Sequence, residues 1–510
     1  MIAACDRISS ATLALAPAWI SKRGPAEVDR RVEPLVVASG ARPLAVLAAI
    51  GLAMVLLAPG EAWAAEFDGS KLAGWWAIPF AGILLSIAVL PLVAPRVWHR
   101  HYGKIALGWA LAFFVPFALI FGADAAAAGL VHAMAAEYIP FIILLTALFT
   151  VAGGIYIRGN LHGSPALNCL LIAIGAVLAS FMGTTGASML MIRPLIRAND
   201  DREHTAHVVI FFIFIVSNIA GSLTPLGDPP LFLGFLKGVT FFWTMRLFPE
   251  TLFCTVVLLA IFFALDSWIY RREGVSRPDP TPDDETLGID GKANLLLLLA
   301  IMGLVLLSGT WNPSIAWSVM GTDLTLQQVV RDLALVAITA LSLLITARSV
   351  REANQYSFGP MLEVGKLFFG IFLTIIPVIA MLRAGPDGAF APIVRLVTAP
   401  DGQPIPAAYF WATGLLSSFL DNAPTYLVFF NLAGGDPQQL MTTLSPVLMA
   451  VSAGAVFMGA NSYIGNAPNL MVKAVAEERG VTMPGFFGYM AWSVGVLVPL
   501  FVVVTWIWHR

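Results

Sequence analysis

Ser217-Asn218-Ile219-Ala220-Gly221-Ser222-Leu223-Thr224-Pro225-Leu226-Gly227-Asp228-Pro229-Pro230 interrupts an apolar run that begins near residue 205. Three prolines within six residues cannot occupy a continuous helix, because each removes a backbone donor and clashes with the preceding turn. The helix must therefore unwind here. Freed backbone groups at membrane depth are tolerated where they line a cavity or are buried in protein. Asn218, Ser222, Thr224 and Asp228 add side-chain oxygens to the break, a donor set suited to a hard cation. A plain kink capped by Asp228 would not need all four.

A second break follows at Gly459-Ala460-Asn461-Ser462-Tyr463-Ile464-Gly465-Asn466-Ala467-Pro468-Asn469. Adding 238 to the position lays Gly221 on Gly459, Gly227 on Gly465 and Pro230 on Pro468. It also lays Thr224 on Ser462 and Asp228 on Asn466, while adding 237 lays Ser188 on Thr425. The near-constant offset implies an internal repeat. In the second break the oxygens of Asn461, Ser462 and Asn466 are neutral.

Outward from these breaks the chain is apolar almost throughout. Of its 510 residues, 58% are hydrophobic and 12% charged, with a mean hydropathy of +0.82. Soluble domains carry roughly 25% charged residues, so this composition excludes an ordinary wet surface. The net charge of −2 provides no basic field for nucleic acid. Cys5, Cys169 and Cys254 are scattered and odd in number, and read as inert small hydrophobes. Residues 1–70 form a leader, in which the apolar stretch 43–58 with Ala62-Trp63-Ala64 reads either as a signal peptide or as a first transmembrane helix.

Basic residues orient the spans. Arg96, Arg100 and Lys104 follow the span at 75–94 and place that loop in the cytoplasm, as do Arg158 and then Arg193, Arg197 and Arg202 further on. Residues 165–192 therefore enter and leave on one side, as a re-entrant hairpin with Gly183-Thr184-Thr185-Gly186-Ala187-Ser188 at its tip. Residues 405–432 form a hairpin of opposite polarity, its tip at Leu420-Asp421-Asn422-Ala423-Pro424-Thr425. The expected fold is an all-α polytopic membrane protein of two inverted-topology repeats, each with a re-entrant hairpin and a broken transmembrane helix. The boundaries are 71–270 for the first repeat, 271–292 for a cytoplasmic linker and 293–510 for the second, an arrangement found in secondary transporters.

Asp421 is the acid expected at a hairpin tip. A carboxylate at membrane depth is costly and points to function, although Asp421 also suits the N-cap of the exit helix. Thr184, Thr185 and Ser188 offer hydroxyls at the other tip. Among other charges, Glu363 and Lys366 stand one turn apart as a local pair or snorkelling residues. Glu137 and Asp124 read as interfacial, and Asp266 as a partner of Arg271. No phosphate-binding lysine loop, zinc-ligand spacing or nucleophile elbow occurs. The chain is therefore not expected to be an enzyme, to hold a cofactor or to be driven by ATP.

The stretches Asn218–Gly234, Leu420–Phe430 and Gly459–Lys473 resemble the ion transporter superfamily, most closely the NhaD-type sodium/proton antiporters and the related citrate and arsenite permeases. The resemblance spans roughly 75–508. It implies a homodimer in a bacterial-type inner membrane and elevator-like movement of the hairpin-bearing domain. Ser417, Asp421 and Asn422 match the Ser-x-x-x-Asp-Asn group of the antiporters, and Asp228 their acid in the first broken helix. Pro229-Pro230 after that acid is closer to the arsenite and citrate relatives. The resemblance implies sodium/proton antiport, with sodium ion and proton as cargo; the alternative is cation-coupled transport of citrate-like organic acids or an oxyanion such as arsenite.

Overall fold

Lipid offers no hydrogen bonds to an exposed backbone, so apolar runs of this length resolve into helices. A computed structural model of the chain describes residues 68–273 and 286–510. The candidate leader segment at 43–64 and the central part of the linker lie outside the described residues.

Among the described residues, nine helices are long and apolar enough to cross a membrane. The first half consists of α1 (Ile78–Val93), α2 (Pro95–Phe121), α3 (Ala123–Ala152), α4 (Pro165–Arg197), α5 (Ala206–Ile215), α6 (Pro229–Leu236) and α7 (Phe248–Glu273). The second consists of α8 (Ala293–Thr310), α9 (Leu326–Ile345), α10 (Gly359–Thr374), α11 (Ile376–Arg383), α12 (Pro406–Ser417), α13 (Asn422–Leu432), α14 (Ser445–Met458), α15 (Ala467–Glu478) and α16 (Phe486–Trp508). Each half thus runs through three spans, a hairpin, an interrupted helix and a last span. In the second half the third span, α10 with α11, bends by 43°, where Pro377 removes a helix donor.

The hairpins are visible in their side chains. The Asn168 and Asn199 amides exchange hydrogen bonds of 2.9 and 2.8 Å across the two ends of α4. In a straight helix the same two positions would stand about 46 Å apart. α4 is therefore two arms folded back at Gly183, whose φ of +80° is open to glycine and strained for other residues. The turn occurs at Gly183 itself, and Thr184 to Ser188 already belong to the second arm. In the other hairpin, the Tyr409 hydroxyl on α12 donates to the Leu432 carbonyl on α13.

Hydrogen bonds around the two breaks repeat at the same offset as the sequence. Thr224 donates to the Ser180 carbonyl and Ser462 to the Ser418 carbonyl, both at 2.5 Å. The same two hydroxyls accept from Leu226 N and Ile464 N, both at 3.2 Å. A Cβ at Gly227 would collide with the Gly221 carbonyl oxygen, and one at Gly465 with that of Gly459. The paired glycines are thus required by close backbone approach.

Two short antiparallel ribbons complete the described fold. β1 (Tyr156–Arg158) pairs with β2 (Gly288–Asp290) and ties the end of the linker to the first half. β3 (Ala316–Val319) and β4 (Thr322–Thr325) form a hairpin before α9.

Two charges differ from the sequence reading. Asp266 bonds Arg202 at 2.8 Å and His207 at 2.9 Å, not Arg271, because the hairpin base and α5 pack against α7 and bring both side chains inward. Glu137 is buried and paired with Lys237 instead of interfacial, whereas Asp124 is exposed. Lys366 lays its ammonium over the Tyr102 ring, 5.2 Å from the centroid.

Candidate ion-coupling site

Asp228 is 1% exposed and sits immediately before α6. Pro229 and Pro230 start that helix, since proline suits a first turn whose N–H groups have no helical partner. Three neutral donors converge on its carboxylate. The Thr184 hydroxyl donates to Oδ1 at 2.7 Å, the Asn466 amide to Oδ1 at 3.3 Å, and the Asn422 amide to Oδ2.

Each donor comes from the beginning of a helix. Thr184 opens the second arm of α4, Asn422 opens α13, and Asn466 caps α15. With α6, four helix N-termini meet at this carboxylate. Each brings a partial positive charge of roughly half a unit. Thus a carboxylate can be buried here without a cationic side chain. The break itself is held by the hairpin: Thr184 N donates to the Gly227 carbonyl at 2.7 Å.

Thr184 and Asn422 are themselves related by the repeat offset, so the two hairpin tips present equivalent positions to the two oxygens of one acid. The carbonyl oxygen of the Asn422 side chain is buried with no hydrogen-bond partner among the described residues.

Asp421 lies on the rim of the same centre. Its Oδ1 accepts from Ala423 N at 3.1 Å, so it caps α13. A cavity of about 60 Å³ is lined by Asp421, Asp228, Thr184, Thr185 and Asn466. It adjoins a larger one of about 390 Å³ that runs past Phe149, Gly186, Met189 and Met471 to Arg193, Gln355 and Glu478. The two acids therefore share one small space, which borders the larger cavity.

Other candidates hold the centre together. Asn218 donates to Asn469 at 2.8 Å and accepts from Asn466 at 3.3 Å, joining the two breaks. Ser188 and Ser217 share a hydrogen bond of 2.8 Å. Ser417 donates to the Ala455 carbonyl, Thr425 to that of Asp421, and Asn461 to the Ser418 hydroxyl. Thr224 and Ser462 are spent on hairpin carbonyls, as described above. These last five hold the local structure and do not touch Asp228.

Sequence reasoning misses Asn469, which bonds Asn218 and the carbonyls of Gly459 and Ser462, the latter two at 2.9 Å. The offset that reveals the other residues places Leu231 opposite it, so the repeat carries no signal for its role. Its short polar side chain on an apolar helix is the available clue.

No curated protein matches this chain. The family model described as Putative citrate transport matches residues 69–509. That match covers both breaks, both hairpins and every residue around Asp228. Together with the helical spans, it makes the chain a secondary transporter and a member of the Putative citrate transport family.

Proposed function

We propose that this transporter exchanges a monovalent cation, most simply sodium, for protons, with Asp228 and Asp421 as the coupling acids. One observation carries the reading. Four helix N-termini converge on a point that would suit a substrate anion, and the chain's own Asp228 carboxylate already fills it. A second acid, Asp421, borders the same cavity and would repel a carboxylate cargo. Cation and proton then compete for the same oxygens, and that competition couples their fluxes. The free carbonyl of Asn422 and the hydroxyls of Thr184 and Thr185 are suitable further oxygen ligands.

The hydrogen bonds repeated at the sequence offset, the two hairpins and the alternation of basic loops support two inverted repeats with re-entrant hairpins. On this reading the hairpins and broken helices move together, elevator-like, and carry the acids between the faces of a bacterial-type inner membrane. The resemblance adds a homodimer.

Proteoliposomes holding a pH dye test the exchange. Sodium or lithium added outside should shift the internal pH, and Asp421→Asn should abolish the shift. Absence of any cation-dependent proton movement by active, folded protein would refute antiport. The family match favours a second reading, cation-coupled uptake of a citrate-like acid or an oxyanion such as arsenite. Labelled citrate accumulating in the same vesicles, without sodium-driven proton movement, would establish that reading instead.

A further inference from the structure

Glu137, which is buried, and Lys237, which is partly buried, form an ion pair away from Asp228 and Asp421. Their side chains are 8% and 16% exposed. Glu137 lies in the π turn Ala133–Tyr138 within α3. Such turns insert an extra residue into a helix and recur at functional sites. His132, one turn earlier, places Nε2 3.8 Å from the same carboxylate.

The two partners belong to different helices. α3 is fastened to α10, where the Tyr138 hydroxyl donates to the Gly365 carbonyl at 2.8 Å and Phe141 stacks on Phe368 at 4.8 Å. Lys237 instead closes α6, the short helix that starts directly after Asp228. A helix of this length is a rigid rod, so Lys237 stands about 13 Å from Asp228 and moves with it. Further along α3, Leu144 and Leu148 wall the cavity beside Asp228, and Phe149 and Gly153 wall the larger one leading to Arg193. Both cavities thus lie along one end of α3, and the ion pair joins α3 to α6 towards the other.

We propose that Glu137–Lys237 is the lock that closes the end of the pathway opposite Arg193, and that it opens each time Asp228 changes access. Attraction between the two charges is strong in a dry, low-dielectric contact and weak in water. Water entering that end therefore releases the pair in step with movement of α6. Loss of one partner leaves a buried charge uncompensated, which favours leaving the closed state. The inference rests on the movement of hairpins and broken helices proposed above, not on the choice of cargo.

The test uses the full chain with Cys5, Cys169 and Cys254 replaced and Ala474→Cys added as a probe of the larger cavity. An impermeant maleimide is applied from either face of sealed vesicles. Glu137→Gln and Lys237→Gln should each slow labelling from the Arg193 side by at least about fivefold. The charge exchange Glu137→Lys with Lys237→Glu should recover it. Separately, Glu137→Cys with Lys237→Cys, bridged by a bis-methanethiosulfonate crosslinker, should stop transport, and reduction should restore it. Unchanged labelling in both neutralised variants, or full transport with the crosslink closed, would overturn the lock. If the neutralised variants do not fold, the double-cysteine variant decides alone.

Discussion

Asp421 performs two jobs that one substitution can separate. Its carboxylate borders the cavity shared with Asp228, and its Oδ1 caps α13 through Ala423 N. Asparagine caps a helix about as well as aspartate, whereas alanine costs about 1 kcal/mol. Asp421→Asn should therefore keep the thermal midpoint of the purified protein and lose coupled transport. Asp421→Ala should lose both. A fully active Asp421→Asn protein would remove this residue from the coupling chemistry. Gly227 makes a steric prediction at the same scale. A Cβ there would collide with the Gly221 carbonyl oxygen, and overpacking of this kind costs about 1–3 kcal/mol. Gly227→Ala should lower the melting temperature in detergent and impair transport. Gly495→Ala, with nothing within 4 Å of the added methyl, should change neither.

At the scale of elements, the first hairpin is held at its base as well as at its tip. Asp266 on α7 bonds Asn168 at the start of α4, Arg202 just beyond its end and His207 on α5. Arg202 is also held by Glu273 at 3.0 Å. The pair between Arg202 and Asp266 is fully enclosed, and removing one member of a buried pair costs about 3–5 kcal/mol. Asp266→Ala should thus lower the melting temperature far more than removal of an exposed pair such as Arg348–Glu352, worth at most about 1 kcal/mol. Equal effects of the two changes, measured by thermal unfolding, would show that this cluster does not secure the hairpin.

For the whole molecule, the distribution of charge predicts sidedness. Arg96, Arg100 and Lys104 lie at the start of α2 and Arg348 and Arg351 in the helix Arg348–Ala353, so both regions are expected on the cytoplasmic face. Asp124, at the start of α3, is then expected outside. Cysteines introduced at Arg100 and at Asp124, in a chain cleared of its own, should label with an impermeant reagent from opposite sides. Labelling of both from one side would break the proposed inverted arrangement. The same assay applied at Thr185 and Leu420 reports whether the hairpin tips are reached from opposite faces.

Much of this architecture was legible because its signals are local. Prolines at 225, 229 and 230 unwind a helix whatever surrounds them. Runs of apolar residues mark spans, and glycines at 221, 227, 459 and 465 reveal a repeat by spacing alone. The acids Asp228 and Asp421 are conspicuous because charge inside an apolar run is rare. Their surroundings were not legible. That Thr184 and Asn422 bond the same carboxylate depends on two hairpins meeting a break from separate parts of the chain. That Glu137 pairs with Lys237, and Asp266 with Arg202, depends on packing between helices far apart in the chain. The sequence by itself thus determined the spans, the breaks and the acids, because backbone chemistry and lipid exclusion act on neighbouring residues. Only the tertiary structure decided which donors surround each acid, because partners are chosen by proximity in space, and a buried charge accepts whichever group folding brings within hydrogen-bonding reach.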